Sequence, residues 1–449
     1  MTSIRESGTH APGTSAMRSR SRSANSGLPK TSRTALAPAA APGRQPAWLR
    51  SVLDDPFSDQ WLAVSSVALL VGIGLLMALS SSSVYAQANG DSAYYYAIRQ
   101  VMFLAIGIPG AWILSRMNER ALKPLGWAAI ILALVLLLLT FTPLGQNIKG
   151  NRNWLLLGPI SMQPSEFAKV AMILWGATVL STKEKLLDQP KHLLFPLLVG
   201  ALAVCGLVLL QGDLGTGLVI VGILFSILWL IGTPWVVMGM LMGSGLAVVG
   251  LLVVSSENRM TRIRLFLNPP DSGDITVSQQ PLSAIYALAT GGWFGAGLGE
   301  SKQKWGGLYD GAQNDYVFAV LGEEMGLLGT FLVILLFGLL AWTGLRIAKR
   351  SDTLFLRVVS GAVTCWIMLQ AMINIAVAMN MIPVIGVPLP FISVGGSALL
   401  ANLLGVGLLV ACARQEPAAR RARAARLQPE PAQPRVTTVV QRRRATGRG

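Results

Sequence analysis

Residues 291–326 read GGWFGAGLGESKQKWGGLYDGAQNDYVFAVLGEEMG. The stretch opens as a glycine-rich surface segment and closes as an apolar helix. At the junction stands one acid, Asp315, within Gln-Asn-Asp-Tyr. An acid at the mouth of a membrane helix is costly unless it is exposed, paired or chemically active. The spacing of Asp315 fits two roles: an N-cap for the helix that follows, or a carboxylate whose partial desolvation suits a general base. Glu323 and Glu324 lie one to two turns deeper. At about 100° per residue they point away from Asp315, so they do not form a carboxylate pair with it.

Working outward, the whole chain has the composition of that helix. Of 449 residues, 52% are hydrophobic and 13% charged, against about 25% charged in soluble domains. Apolar runs near the length of a bilayer crossing recur along the chain, and the alternation of a membrane β-barrel is absent. The sequence therefore predicts an all-α polytopic membrane protein. Ten crossings are expected, near 61–82, 97–115, 126–143, 165–181, 193–210, 214–232, 235–254, 316–345, 354–380 and 389–412. A large extracytoplasmic loop, about 255–315, separates helices 7 and 8. Within it, Leu282, Ile285 and Leu288 share a helical face, which predicts a short interfacial helix. The glycines at 291, 292, 295, 297 and 299 predict a close backbone approach.

The net charge of +16 is localised. Residues 1–50 carry +7 and residues 414–449 carry +8, leaving the middle at +1. The expected domains are a disordered basic cytoplasmic tail over 1–56, a transmembrane domain over 57–414 and a second such tail over 415–449. Beside a membrane core, these tails are expected to meet anionic lipid headgroups rather than nucleic acid. The three cysteines fall in separate apolar runs, so neither a disulfide nor a metal site is expected. The basic inner loops place both termini in the cytoplasm of a multi-pass protein. No signal-peptide core precedes the first helix, which reads as a retained anchor.

On that topology one membrane face collects polar groups at a common depth: Arg152, Glu166, Lys169, Gln211, Asp213 and Asp315. Arg262, Arg264 and Lys304 lie in the large loop on the same side. Glu166 and Lys169 are i,i+3 neighbours that also suit a simple pair. The common depth predicts an outward-facing polar cavity. With no His/Cys cluster for zinc and no Walker motif, carboxylate chemistry is what the residues offer.

The motifs occur in a recognisable order. They are Gly150-Asn-Arg152-Asn-Trp154, Met162-Gln-Pro-Ser-Glu166-Phe-Ala-Lys169, Gln211-Gly-Asp213-Leu-Gly-Thr216 and Arg262-x-Arg264-x-x-Leu-Asn-Pro269. Gly291-Gly-x-x-Gly-x-Gly-Leu-Gly299, Asn314-Asp315-Tyr-Val-Phe-Ala and Leu389-Pro-Phe-Ile-Ser-x-Gly-Gly-Ser397 follow. Over residues 57–414 the chain resembles the SEDS family (shape, elongation, division and sporulation), its division branch, FtsW, more than its elongation branch, RodA. The resemblance departs at Gln313, where the family usually has His, and at Ser283, where a second Gln is expected after Gln280.

The resemblance implies a ten-helix peptidoglycan glycosyltransferase that polymerises lipid II at the outer face of the cytoplasmic membrane. It implies Asp315 as the catalytic acid of the family motif. The candidate substrate-binding residues are Arg152, Glu166, Lys169, Gln211, Asp213, Arg262, Arg264, Gln280 and Lys304. Glu323 and Glu324 are read as structural intramembrane acids. No cofactor is required by this reading, although a divalent cation, Mg or Mn, would suit the pyrophosphate. The implied partners are lipid II, a class B penicillin-binding protein, other division proteins and membrane lipids, at the division septum. A lipid II flippase and a non-enzymatic division scaffold are the competing readings; the flippase would need polar groups along its whole path.

Overall fold

Each apolar run is wound into a helix, because in hydrocarbon every backbone polar group must be satisfied within the chain. The structure, a computed structural model, describes residues 55–148, 150–158, 160–184, 190–267, 279–308 and 311–427. Before the large loop run α1 (Ser58–Ala88), α2 (Tyr95–Arg116), α3 (Glu119–Leu139), α4 (Pro164–Thr182), α5 (Pro190–Leu210), α6 (Leu214–Leu230) and α7 (Trp235–Val254). The loop itself folds α8 (Glu257–Leu267), α9 (Gln279–Thr290) and one 3-10 turn, Gln303–Trp305. Then come α10 (Val317–Arg350), α11 (Leu354–Ala378), α12 (Gly396–Arg414) and α13 (Pro417–Leu427).

A helix thus covers each of the ten expected crossings. Among the described residues, seven of these helices are long and apolar enough to span a membrane, and Phe195–Leu210 and Leu214–Leu230 are apolar but shorter. The chain is an all-α membrane protein; ten crossings is the sequence's expectation and not a count that these helices fix.

Burial orders the bundle. Helix α4 is buried over nearly all of its length and packs against α3, α11 and α12. Helix α7 is its opposite, with no buried residue. Helices α2 and α12 meet closely because glycine lines the seam. A Cβ on Gly407 would strike the Ala111 backbone, and Gly107 faces Leu403.

Two features depart from the expected layout. First, residues expected as a loop form a small antiparallel sheet in the order β1 (Gly145–Ile148), β2 (Asn151–Leu157) and β3 (Ile160–Met162). Gln146 pairs with Trp154, and Leu155 with Met162. The apolar run Trp154–Leu157 is too short for a helix and is bounded by Gly150 and Gly158, both at positive φ, so pairing is the way to satisfy its backbone. Second, the C-terminal segment expected to be unstructured from 415 instead continues as α13. Its Ala/Arg sequence favours helix, and three contacts hold it. Arg420 bonds Asp352 at 2.6 Å, and the guanidiniums of Arg423 and Arg426 lie over the Phe57 ring. The rest of the two tails lies outside the described residues.

The glycine-rich segment explains an unusual α10. Gly326 (φ 66) breaks this helix inside the apolar run. The break leaves carbonyls orphaned on one side and amides on the other. The segment answers both. Ala296 N donates to Glu323 O (2.9 Å) and Gly297 N to Glu324 O (3.1 Å), while Leu327 N donates to Gly292 O (2.9 Å) and Leu328 N to Trp293 O (3.2 Å). The expected close approach is therefore backbone on backbone, and a Cβ on Gly291 or Gly295 would fall on a carbonyl of α10. Helix α9 confirms the expected short helix in the loop. It turns Ala284 and Ala287 inward and leaves Leu282 and Ile285 exposed.

Candidate active site

Asp315 is presented on a clamped backbone. Its carbonyl accepts the Asn374 amide of α11 at 3.1 Å, and the same Asn374 nitrogen donates to Val387 O at 2.9 Å. The Ser393 hydroxyl donates to Asn314 O at 2.7 Å, and Val394 N donates to Gln313 O at 2.9 Å. The loop supplying these groups carries Phe391 at φ 67. A non-glycine residue held there costs about 1–3 kcal/mol and marks an over-determined segment. The N-cap of α10 is Tyr316, with no side-chain cap bond, so the N-cap position is not held by Asp315.

The half-buried Asp315 faces a cavity of about 1060 Å³. The cavity lies between the small sheet, the α2 and α12 N-terminal turns, the α5–α6 turn and α8. Asp213, Arg262, Arg259 and Arg99 also line it. Asp213 is a structural knot. Its Oδ1 accepts Thr216 N (2.9 Å), and its Oδ2 accepts Asn153 Nδ2 (3.0 Å), Gln163 Nε2 (2.9 Å) and the Thr216 hydroxyl (2.9 Å). It caps α6 and ties the sheet and the start of α4 to it. Arg259 is similarly engaged, donating to Gly212 O and Leu252 O. Arg262 makes one long bond, 3.3 Å to Val384 O.

The other candidates stand off the cavity wall. Arg152 anchors the sheet: its N donates to Gln211 O (2.9 Å) and its Nη2 to Thr142 O (3.0 Å). Glu166 and Lys169 form the simple pair, at 2.8 Å and fully buried, with Lys169 over the Trp366 ring. Gln211 ties α5 to the end of α3 through Leu137 O and Thr140. Gln280 sits beside Gly311, and Arg264 is exposed on α8. Lys304 is engaged by Glu324 at 3.0 Å, Ser80 at 3.1 Å and Gly299 O at 2.6 Å. Glu323 accepts the Ser301 hydroxyl (2.5 Å) and Lys302 N (3.0 Å). Both acids of α10 thus fasten the loop that seals its break.

Two contributors were not singled out from the sequence. Asn374 and Arg99 are polar residues inside apolar runs, and that isolation was their available signal. For a divalent cation the donor set is thin. Among the described residues no three His, Cys, Asp or Glu side chains gather, and of the cavity's two acids Asp213 is taken up by four donors. Among the described residues the protein groups form no cage for such an ion, and no step below runs through one.

The fold and site define a class: a polytopic membrane protein whose polar cavity opens at one end of the bundle with a positioned carboxylate on its wall. Residues 60–418 match the cell cycle protein family of FtsW, RodA and SpoVE, and the chain belongs to that family. A probable peptidoglycan glycosyltransferase FtsW from Mycobacterium tuberculosis is 36% identical over 378 residues, 83% of this chain and 70% of that protein. Stage V sporulation protein E of Bacillus subtilis is 36% identical over 361 residues, 80% of this chain and 97% of that one. Among solved structures, a chain described under the structural coordination of polymerization and crosslinking by a peptidoglycan synthase complex aligns with a TM-score of 0.64 at 27% identity. It covers 79% of this chain and 97% of that one. The rod shape determining protein RodA of Thermus thermophilus aligns with a TM-score of 0.58 at 27% identity, over 80% of this chain and 97% of its own.

Proposed function

We propose that this chain is a peptidoglycan glycosyltransferase of the FtsW type, joining lipid II units into β-1,4 glycan at the outer membrane face during division. The observation that carries the proposal is Asp315, fixed through its backbone by Asn374 and Ser393 with its side chain on the cavity wall. A sugar 4-hydroxyl is a weak nucleophile, so a base must remove its proton as it attacks. Asp315 is the cavity carboxylate that this reading assigns as the base. The hydroxyl oxygen bonds to the anomeric carbon of the donor, the carbon–phosphate oxygen bond breaks, and the lipid pyrophosphate leaves with the electron pair. Arg262 and Arg99 face the same space and offset its charge. Val249 and Val253 of α7 wall one side. Because α7 has no buried residue, that side suits entry of lipid tails. The groups that line the cavity lie at one end of the bundle, which supports polymerisation over flipping.

The test uses the purified full chain with lipid II and a class B penicillin-binding protein, the partner this reading assigns. Asp315→Asn and Asp315→Ala should lower glycan synthesis by about 100-fold or more with unchanged thermal unfolding. Polymer made at the normal rate by either variant would refute the assignment. A fluorescent fusion should collect at the septum; uniform labelling of the lateral wall would favour the elongation reading.

A further inference from the structure

At the end of the bundle opposite the cavity, four cations have a carboxylate partner. Asp59 takes Arg346 (3.3 Å) and Arg350 (3.0 Å), Asp352 takes Arg420 (2.6 Å), and Glu119 takes Lys123 (2.7 Å). Among the cations without one, three arginines on three helices act on one another. Arg116 ends α2, Arg414 ends α12 and Arg423 lies on α13, and none of the three has a carboxylate partner among the described residues.

The fold forces them together. Gln415 accepts Glu119 N at 2.9 Å and donates to Met117 O at 3.4 Å, which fastens the α2–α3 turn to the end of α12. Arg423 is held by Gln60 at 3.4 Å and by the Phe57 ring at 5.7 Å. Burial, and then the charges of Arg414 and Arg116, make the Arg423 guanidinium less willing to hold its proton. Like charges gathered without a counter-charge are unfavourable unless an anion joins them.

The depth of the cluster indicates which anion. Trp61, Trp112 and Trp342 ring this end of the bundle, 67%, 58% and 43% exposed. Exposed tryptophan marks the headgroup layer. Arg116 stacks on Trp112, at 4.7 Å from its centroid. The cations therefore lie at phosphate depth, where three planar donors from three helices can share one phosphodiester. We propose that Arg116, Arg414 and Arg423 form a binding site for the headgroup of an anionic phospholipid, which joins α13 to the bundle. The site is independent of the catalytic reading, since it lies at the other end of the helices.

The full chain, in detergent, is titrated with phosphatidylglycerol and, separately, phosphatidylcholine, and bound lipid is counted by native mass spectrometry. Phosphatidylglycerol should be retained preferentially. Arg116→Gln, Arg414→Gln and Arg423→Gln should each weaken its retention by about fivefold, whereas Arg421→Gln, on the exposed side of α13, should not. Without lipid Arg414→Gln should melt no lower than the unaltered chain, because a repulsion has been removed. Should one misfold, Arg414→Lys, which keeps the charge but not the planar fork, still tests the site and should show an intermediate loss. Equal retention of the two lipids overturns the proposal. An equal loss in Arg421→Gln reduces the effect to diffuse charge and also overturns it. Displacement by inorganic phosphate at matched concentration would make this a small-anion site, overturning the lipid assignment.

Discussion

Raising the pH should loosen the attachment of α13, and Glu416 sets the size of the effect. This acid sits between α12 and α13, 2% exposed. Burial, and then the nearby Asp59, pushes its carboxyl from 4.5 up to about 7, against the pull of Arg350 and Arg346. The folded carboxyl therefore holds its proton more tightly than a solvated one. Below the ordinary value Glu416 is neutral in both states and costs nothing. As pH rises from there to about 7, release of the proton increasingly favours the open state, and above that range the penalty is complete. At about 1.4 kcal/mol per pH unit it reaches at most about 3 kcal/mol. Hydrogen exchange of the α13 amides reads this directly, since Arg420 N is bonded to Glu416 O at 2.9 Å. After correction for intrinsic base catalysis, protection should fall by about two orders of magnitude between about pH 5 and about pH 9. Glu416→Gln should abolish that dependence and exchange slowly throughout. Protection independent of pH in the unaltered chain, or an unchanged slope in Glu416→Gln, would refute the reasoning.

Three further outcomes follow from the packing. Lys304→Met leaves Glu324 buried without its cation and should cost about 3–5 kcal/mol, and Lys304→Met with Glu324→Leu should recover most of this in thermal unfolding. Gly295→Ala places a Cβ against Glu324 O at φ 81; at a cost of at least about 2 kcal/mol, it should unseat the loop and open 291–304 to limited proteolysis. Asp213→Ala strands Asn153, Gln163 and Thr216 and should cost about 3 kcal/mol or more, with Asp213→Asn milder because it keeps an acceptor; equal melting of the two would contradict the knot.

The helical bundle was legible because hydrophobic run length is a local property. So was the close approach at 291–299, since clustered glycine has few other uses. The break at Gly326 was not legible: one glycine in an apolar run looks like many others here, and only the incoming loop identifies it. The fate of Lys304 was hidden for a similar reason. Its partners are 20 residues away in Glu324 and 224 away in Ser80, and spacing along one helix does not reach across elements. The sheet escaped because three short strands carry little pattern until they pair. At the site, Asp315 was legible as an isolated acid, but Asn374, which grips its backbone, reads alone as an ordinary polar residue in a membrane helix.

The seal across the break in α10 is made of peptide groups, and this shapes how the segment can vary. Peptide groups are the same in every residue, so the seal is indifferent to what side chains Trp293 and Phe294 carry; they point outward, 67% and 81% exposed. It is strict about Gly291, Gly295 and Gly326, where any side chain occupies the space of a neighbouring backbone. Substitution scanning through 291–297 should therefore alternate between freedom and prohibition, and a membrane or a binding protein could be matched by changing the two aromatics while the helix that follows Asp315 keeps its seat.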